Sequence, residues 1–218
     1  MYIDLSLPIQ PHWRYAFQHN LVSSFEKGDQ WQISEFKMKS HWFSHIDFPR
    51  HTGLAFPDSE SFPLDHYNGM ASVLMITSPT MVNHAITAEE LEKAKKGRSL
   101  EKILLIRSDW GVMTSWETHE FWSMAPYLTD EAIEWIAAQN PKTVAFDFPQ
   151  DYSIRLLQDR KVSPEEQKTH IILLRQNILL VEYLANFNAI KQETCEFICL
   201  PLRIPHIDGC PVRAVAKI

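Results

Sequence analysis

The amino-acid sequence predicts a mixed α/β fold. Three observations point to it. Apolar runs of four to six residues recur along the chain, segments with helix-start signals fall between them, and no internal repeat or low-complexity stretch interrupts the pattern. Several of the runs are continuous in Val, Ile, Leu and Phe rather than alternating, which marks strands buried on both faces.

Taken in chain order, the N-terminal third is irregular and aromatic, with His12, Trp13, Tyr15, Phe17 and Phe25 before a mixed-face strand at Trp31 to Met38. Further strands are predicted at Ser72 to Thr77, Ile103 to Arg107, Thr143 to Asp147, Ile178 to Val181, Phe197 to Leu202 and Val212 to Ala216. Thr87-Ala88-Glu89-Glu90 has the capping-box pattern, and Gly97 supplies a stop. Thr129 caps a second helix whose first turn carries Asp130 and Glu131, where the helix dipole favours acids, and Asn140-Pro141 ends it. Ser163-Pro164-Glu165-Glu166 starts a third, expected to run to about Gln176. No linker is evident, so residues 1–218 are expected to form one domain.

Composition narrows the function classes. The chain has 218 residues, is 45% hydrophobic and carries a formal net charge of -6. That acidity, with no basic run, argues against nucleic acid or an anionic membrane as partner. The N-terminus lacks the basic start and apolar core of a signal peptide, and no apolar stretch approaches the ~20 residues that span a bilayer. Three cysteines, Cys195, Cys199 and Cys210, form no disulfide framework, and Cys195 and Cys199 in their apolar run read as buried thiols. A cytoplasmic location is the expectation.

The densest chemical signal is Ser40-His41-Trp42-Phe43-Ser44-His45-Ile46-Asp47-Phe48-Pro49-Arg50-His51. Imidazole and carboxylate are ligands that zinc and manganese prefer. Fully extended, His41 and Asp47 would stand about 20 Å apart, too far for one ion. A helix would bring His41 and His45 to one face but turn Asp47 away. For all three to meet one ion, the chain must curl around it. A second candidate pair is His170, on the third predicted helix, and Glu182, directly after a buried strand, where a carboxylate must reach solvent or find a cation. The plain alternative is a surface His170 and a Glu182 paired with a lysine.

At these residues the chain resembles the cyclase family, which includes bacterial kynurenine formamidases and isatin hydrolases. The family's His-x-Gly-Thr-His-x-Asp-x-Pro-x-His signature reads His41-Trp42-Phe43-Ser44-His45-Ile46-Asp47-Phe48-Pro49-Arg50-His51 here. Ile3-Asp4-Leu5-Ser6, Leu105-Ile106-Arg107-Ser108-Asp109-Trp110, Ala125-Pro126-Tyr127-Leu128-Thr129 and Asp208-Gly209-Cys210-Pro211-Val212-Arg213 resemble further family segments in the same order. The resemblance implies a swivelling β/β/α domain, a mixed sheet with flanking helices, and a homodimer or homotetramer. It implies a divalent metal, zinc or manganese, with one or two ions per chain. His41, His45 and Asp47 would hold one ion, and Asp47, His170 and Glu182 a second. The chain departs from the family at Phe43-Ser44, in place of Gly-Thr, and at Gln150, in place of a serine.

The reaction expected from this resemblance is hydrolysis of a carbon–nitrogen bond in a linear or cyclic amide, arylformamidase-like. The substrate would be a small aromatic or cyclic amide. His51, with an ordinary pKa near neutrality, is the candidate to exchange protons; it could instead be a ligand or orient one. Trp42, Phe43, Phe48, Trp13 and Phe17 are candidate walls for a flat substrate. Two other readings share these residues: a lactone hydrolase or polyketide-type cyclase, and a metal- or ligand-binding protein without turnover, which Phe43 would favour by blocking approach.

Overall fold

The computed structural model describes residues 1–218. Its strands are β1 (Tyr2–Asp4), β2 (Gln18–Ser23), β3 (Ile33–Lys37), β4 (His45–Asp47), β5 (Asn68–Met75), β6 (Ala85–Ile86) and β7 (Ile103–Arg107). They continue with β8 (Tyr127–Leu128), β9 (Thr143–Phe146), β10 (Leu179–Glu182), β11 (Thr194–Ile198), β12 (Gly209–Pro211) and β13 (Val215–Lys217). The helices are α1 (Ala88–Lys95), α2 (Trp110–Met113), α3 (His119–Ser123) and α4 (Asp130–Ala138).

Nine strands make one mixed sheet in the order β1-β13-β11-β5-β7-β9-β10-β4-β12. Its centre, β5-β7-β9-β10, is parallel, and β4 adds antiparallel to β10. Every residue of β7 and β9 is buried, as continuous apolar runs require of strands covered on both faces. Apolar side chains form one core on each face. Leu104, Ile106, Val144 and Leu180 join α1 and α4 on one side; Leu105, Ala145, Leu179 and Val181 join Ile46, Phe197 and Ala216 on the other. The mixed sheet and flanking helices are the α/β class predicted.

Local signals act as expected in the two best-defined helices. Thr87 accepts from the Glu90 backbone while Glu90 reaches back, a reciprocal cap worth about 1 kcal/mol. Thr129 accepts from the Ala132 backbone at the start of α4. The third predicted helix is not continuous. A 3₁₀ turn at Pro164–Glu166 breaks at Gln167, and a separate π-type turn spans His170–Leu174. Of the expected strand Val212 to Ala216, only Val215 and Ala216 lie in a strand, β13, since β12 ends at Pro211. Cys195, Cys199 and Cys210 are free and buried, and no helix is long and apolar enough to cross a membrane.

Candidate metal centre

The site forms where β4 meets β10. Their antiparallel register sets His45 opposite Glu182 and Asp47 opposite Leu180, with Ile46 opposite Val181 between them. Side chains alternate across a sheet. His45, Asp47 and Glu182 therefore share one face, while Ile46 and Val181 fill the core on the other. β12 continues the sheet and sets Gly209 opposite Asp47. A Cβ on Gly209 would stand 2.4 Å from the His41 ring. Glycine here is what lets His41 fold back over the strand, so the curl expected of this segment is real.

His41, His45, Asp47, His51, His170 and Glu182 line one cavity of about 720 Å³. His41 Nδ1 is 2.6 Å from Asp47 Oδ1, and His45 Nε2 is 3.1 Å from the same oxygen. His45 Nε2 is 3.5 Å from Glu182 Oε2. His170 Nε2 is 2.9 Å from Glu182 Oε1 and 3.4 Å from Asp47 Oδ2. The second candidate pair thus meets the first trio. Glu182 is paired with no lysine, and His170 is buried rather than on the surface.

The hydrogen bonds fix how these groups face one another. His45 Nδ1 contacts the Phe43 carbonyl at 2.8 Å, and a carbonyl only accepts, so Nδ1 carries the proton. His170 Nδ1 likewise lies 2.6 Å from Asp151 Oδ2. In the neutral rings both Nε2 lone pairs then point at carboxylates. Acceptors facing acceptors in a buried site require a proton or a cation between them. His45 Nε2 and Asp47 Oδ2 are buried without a hydrogen-bond partner. The donor set of imidazoles and carboxylates fits a divalent cation. One ligand atom each from His41, His45 and Asp47 lies within 4.8 Å of the others, and so does one each from Asp47, His51 and His170.

Charge follows the same logic. Burial opposes ionisation of Asp47, yet His41 and His45 outweigh it and hold the carboxyl well below its usual range. Burial also opposes the charged form of His170, but Glu182, Asp151 and Asp47 raise it well above the usual imidazole value. His41 is pushed up to about 10, because Asp47 and Asp208 outweigh its burial. A cation at these atoms would neutralise the same carboxylates that raise the two histidines. His51 differs. Burial dominates and lowers it.

Four residues near these groups were given no role by the sequence. Asp208 Oδ2 lies 2.8 Å from His41 Nε2 and 3.6 Å from His51 Nδ1. The His41 and His51 rings are 3.8 Å apart between centroids. Asp151 fixes His170 and also accepts from the Thr169 backbone, anchoring the π-type turn. Gln150 donates its side-chain amide to Glu182. Arg14 lines the cavity wall. Asp208 and Asp151 each contact a histidine from another segment of the chain; the segment from Asp208 and the Gln150 departure beside Asp151 were the only sequence signals near them.

Several aromatic expectations are corrected. Trp42 lines the cavity. Phe43 and Phe48 are fully buried in the two cores, and Trp13 stacks on His119 at 3.7 Å. Phe17 packs against the core beside Phe43. Phe43 adopts φ 57°, the left-handed region that a glycine would occupy more easily. That conformation costs about 1–2 kcal/mol in a side-chain-bearing residue. It turns the ring into the aromatic core with Tyr15, away from the cavity, so Phe43 blocks nothing. Ser44 keeps the hydroxyl's work, accepting from the Leu7 backbone and donating to the Tyr183 carbonyl.

This fold is shared with known proteins. The Cyclase family model matches residues 3–150, and the chain belongs to that family. It is 26% identical over 200 residues to cyclase-like protein 1 of Arabidopsis thaliana, covering 89% of this chain and 73% of the relative. It is 24% identical over 222 residues to kynurenine formamidase of Bacillus anthracis, covering 99% and 97%. The structure of isatin hydrolase A from Labrenzia aggregata, bound to benzyl benzoate, superposes with a TM-score of 0.79 at 19% identity, covering 99% of this chain and 93% of that one. Kynurenine formamidase and isatin hydrolase are hydrolytic enzymes by name, and the fold and donor set here fit a metal-dependent hydrolase.

Proposed function

We propose that the protein is an amidohydrolase that cleaves a carbon–nitrogen bond in a linear or cyclic aryl amide, arylformamidase-like, at a cation held by His41, His45, Asp47, His170 and Glu182. The observation that carries this reading is the convergence of the His45 and His170 Nε2 atoms on the carboxylates of Asp47 and Glu182, with His45 Nε2 and Asp47 Oδ2 buried and unpartnered. In this reading Asp47 serves either one ion or two, zinc or manganese, since one of its oxygens faces His41 and His45 and the other faces His170.

A divalent cation bound there would acidify water and polarise a carbonyl. The chain's own residues do the rest. Asp47 and Glu182 supply negative charge that retains the cation. Asp151 and the Phe43 carbonyl hold His170 and His45 in the tautomer whose Nε2 is a lone-pair donor. His51 Nδ1 faces Asp208, which leaves Nε2 to take a proton from the attacking water and return it to the departing nitrogen. Trp42, Ile154 and Leu157 give the cavity an apolar wall suited to an aromatic substrate.

A homodimer or homotetramer belongs to the same reading. It is supported by the β2–β3 hairpin, whose residues Leu21, Val22, Ile33 and Phe36 are all exposed. A two-stranded hairpin alone is marginal in water and needs a surface to pack on.

The test is a substrate panel on the zinc- or manganese-loaded chain: formanilide, a cyclic aryl amide and an aryl lactone. Amide hydrolysis that disappears with chelator and returns with metal is the result expected. Lactone hydrolysis without amide hydrolysis would overturn the assignment.

A further inference from the structure

Arg14 stands apart from the other cations of the cavity region. Its guanidinium carbon lies 4.4 Å over the Trp122 ring, and its hydrogen bond to the Ile154 carbonyl is long at 3.5 Å. No carboxylate of the chain pairs with it. In Arg107 and Arg213 the arginine fork is filled: Arg107 grips Asp109 through two nitrogens, and Arg213 does the same to Asp4. Stacking on Trp122 holds the guanidinium plane without using its N–H groups. At least three of the five donors of this half-buried group therefore remain free, beside the cavity that holds His170 and Glu182. Lys39 lines the same cavity at its exposed rim, its ammonium 5.8 Å over Trp42, also without a carboxylate partner.

We propose that Arg14 is a specificity-determining residue that binds a carboxylate of the substrate, so that the chain acts on aryl amides bearing an acidic group away from the scissile bond. The inference rests on the amidohydrolase reading for the word "substrate" but not for the anion site itself. A free guanidinium fork matches a carboxylate bidentately, and a rigid one stacked on indole loses little freedom on binding. Lys39 adds a rim charge that draws the same anion inward. Trp42, Ile154 and Leu157 supply the apolar surface for an arene between the two ends.

The experiment compares 2-formamidobenzoate with formanilide on the zinc-loaded full chain and on Arg14→Met, which keeps an apolar stem over Trp122. The unmodified chain should prefer the carboxylated amide, and Arg14→Met should lower that preference about 10- to 100-fold, with the loss in KM rather than kcat. Arg14→Lys should restore only part of it, because an ammonium lacks the fork. A binding measurement with anthranilate, read by calorimetry, accompanies the kinetics, and Arg14→Met should weaken it by a similar factor at unchanged zinc content. If neither amide is turned over, the amidohydrolase reading fails and anthranilate binding alone decides the anion site. Preference of the unmodified chain for formanilide, or anthranilate affinity indifferent to Arg14→Met because the carboxylate sits on zinc alone, would overturn the proposal.

Discussion

Asp47→Asn is expected to lower metal affinity by at least about 100-fold and bring amide hydrolysis to background. Asp47 is fully buried, and its two oxygens face different histidines: Oδ1 faces His41 and His45, Oδ2 faces His170. Asparagine keeps the shape but removes the charge and one acceptor. The lost charge is the term that matters, since a buried dication needs a compensating anion. Metal content by mass spectrometry after dialysis, with circular dichroism to confirm folding, reads the outcome. Full metal occupancy in a folded Asp47→Asn would remove this residue from the proposed ligand set.

The second large effect belongs to His51. Glutamine at this position should leave metal content intact while kcat falls about 10²- to 10⁴-fold, the range for loss of a positioned proton-transfer group. At His51 burial outweighs the charged neighbours and lowers the pKa, which favours the neutral ring that can accept a proton. Its contact with Asp208 and its stacking on His41 hold the ring beside the cation ligands. Asp47, His51 and His170 also offer atoms close enough to share an ion. Paired measurement of metal and turnover separates the two roles. Turnover lost with metal retained marks proton exchange; metal lost together with turnover marks a ligand.

Much of the central fold was legible because its signals are local. The β7 run Ile103 to Arg107 has the predicted bounds, since a continuous Ile-Leu-Leu-Ile stretch can be buried only between two neighbours. The caps at Thr87 and Thr129 are written within four residues. The helix expected from Ser163 to Gln176 was misread for the opposite reason. Its course depends on Asp151, which seizes the Thr169 backbone and His170 from another segment. π-type turns of this kind occur often at functional sites, where long-range contacts override helix preference.

The candidate site was legible in its residue types and not in its supports. The spacing of His41, His45, Asp47 and His51 was visible in one motif. The closeness of His170 and Glu182 to them depends on a strand register that pairs β4 with β10, which no local pattern encodes. Gly209 stood in the sequence only as part of a segment resembling the family, and the reason for a glycine there, room for His41, comes from the fold. Arg14 carried no signal at all, because a single arginine in an irregular aromatic stretch reads as surface until its stacking on Trp122 is seen.

Anomalous diffraction at the zinc edge, from crystals of the zinc-loaded chain, is the most direct measurement of whether these distant segments share a cation. The expected peak lies between His41, His45, Asp47, His170 and Glu182. A peak only at the exposed group of Asp58, Glu60 and His206, or none within the cavity, would contradict the shared cation and the hydrolysis built on it.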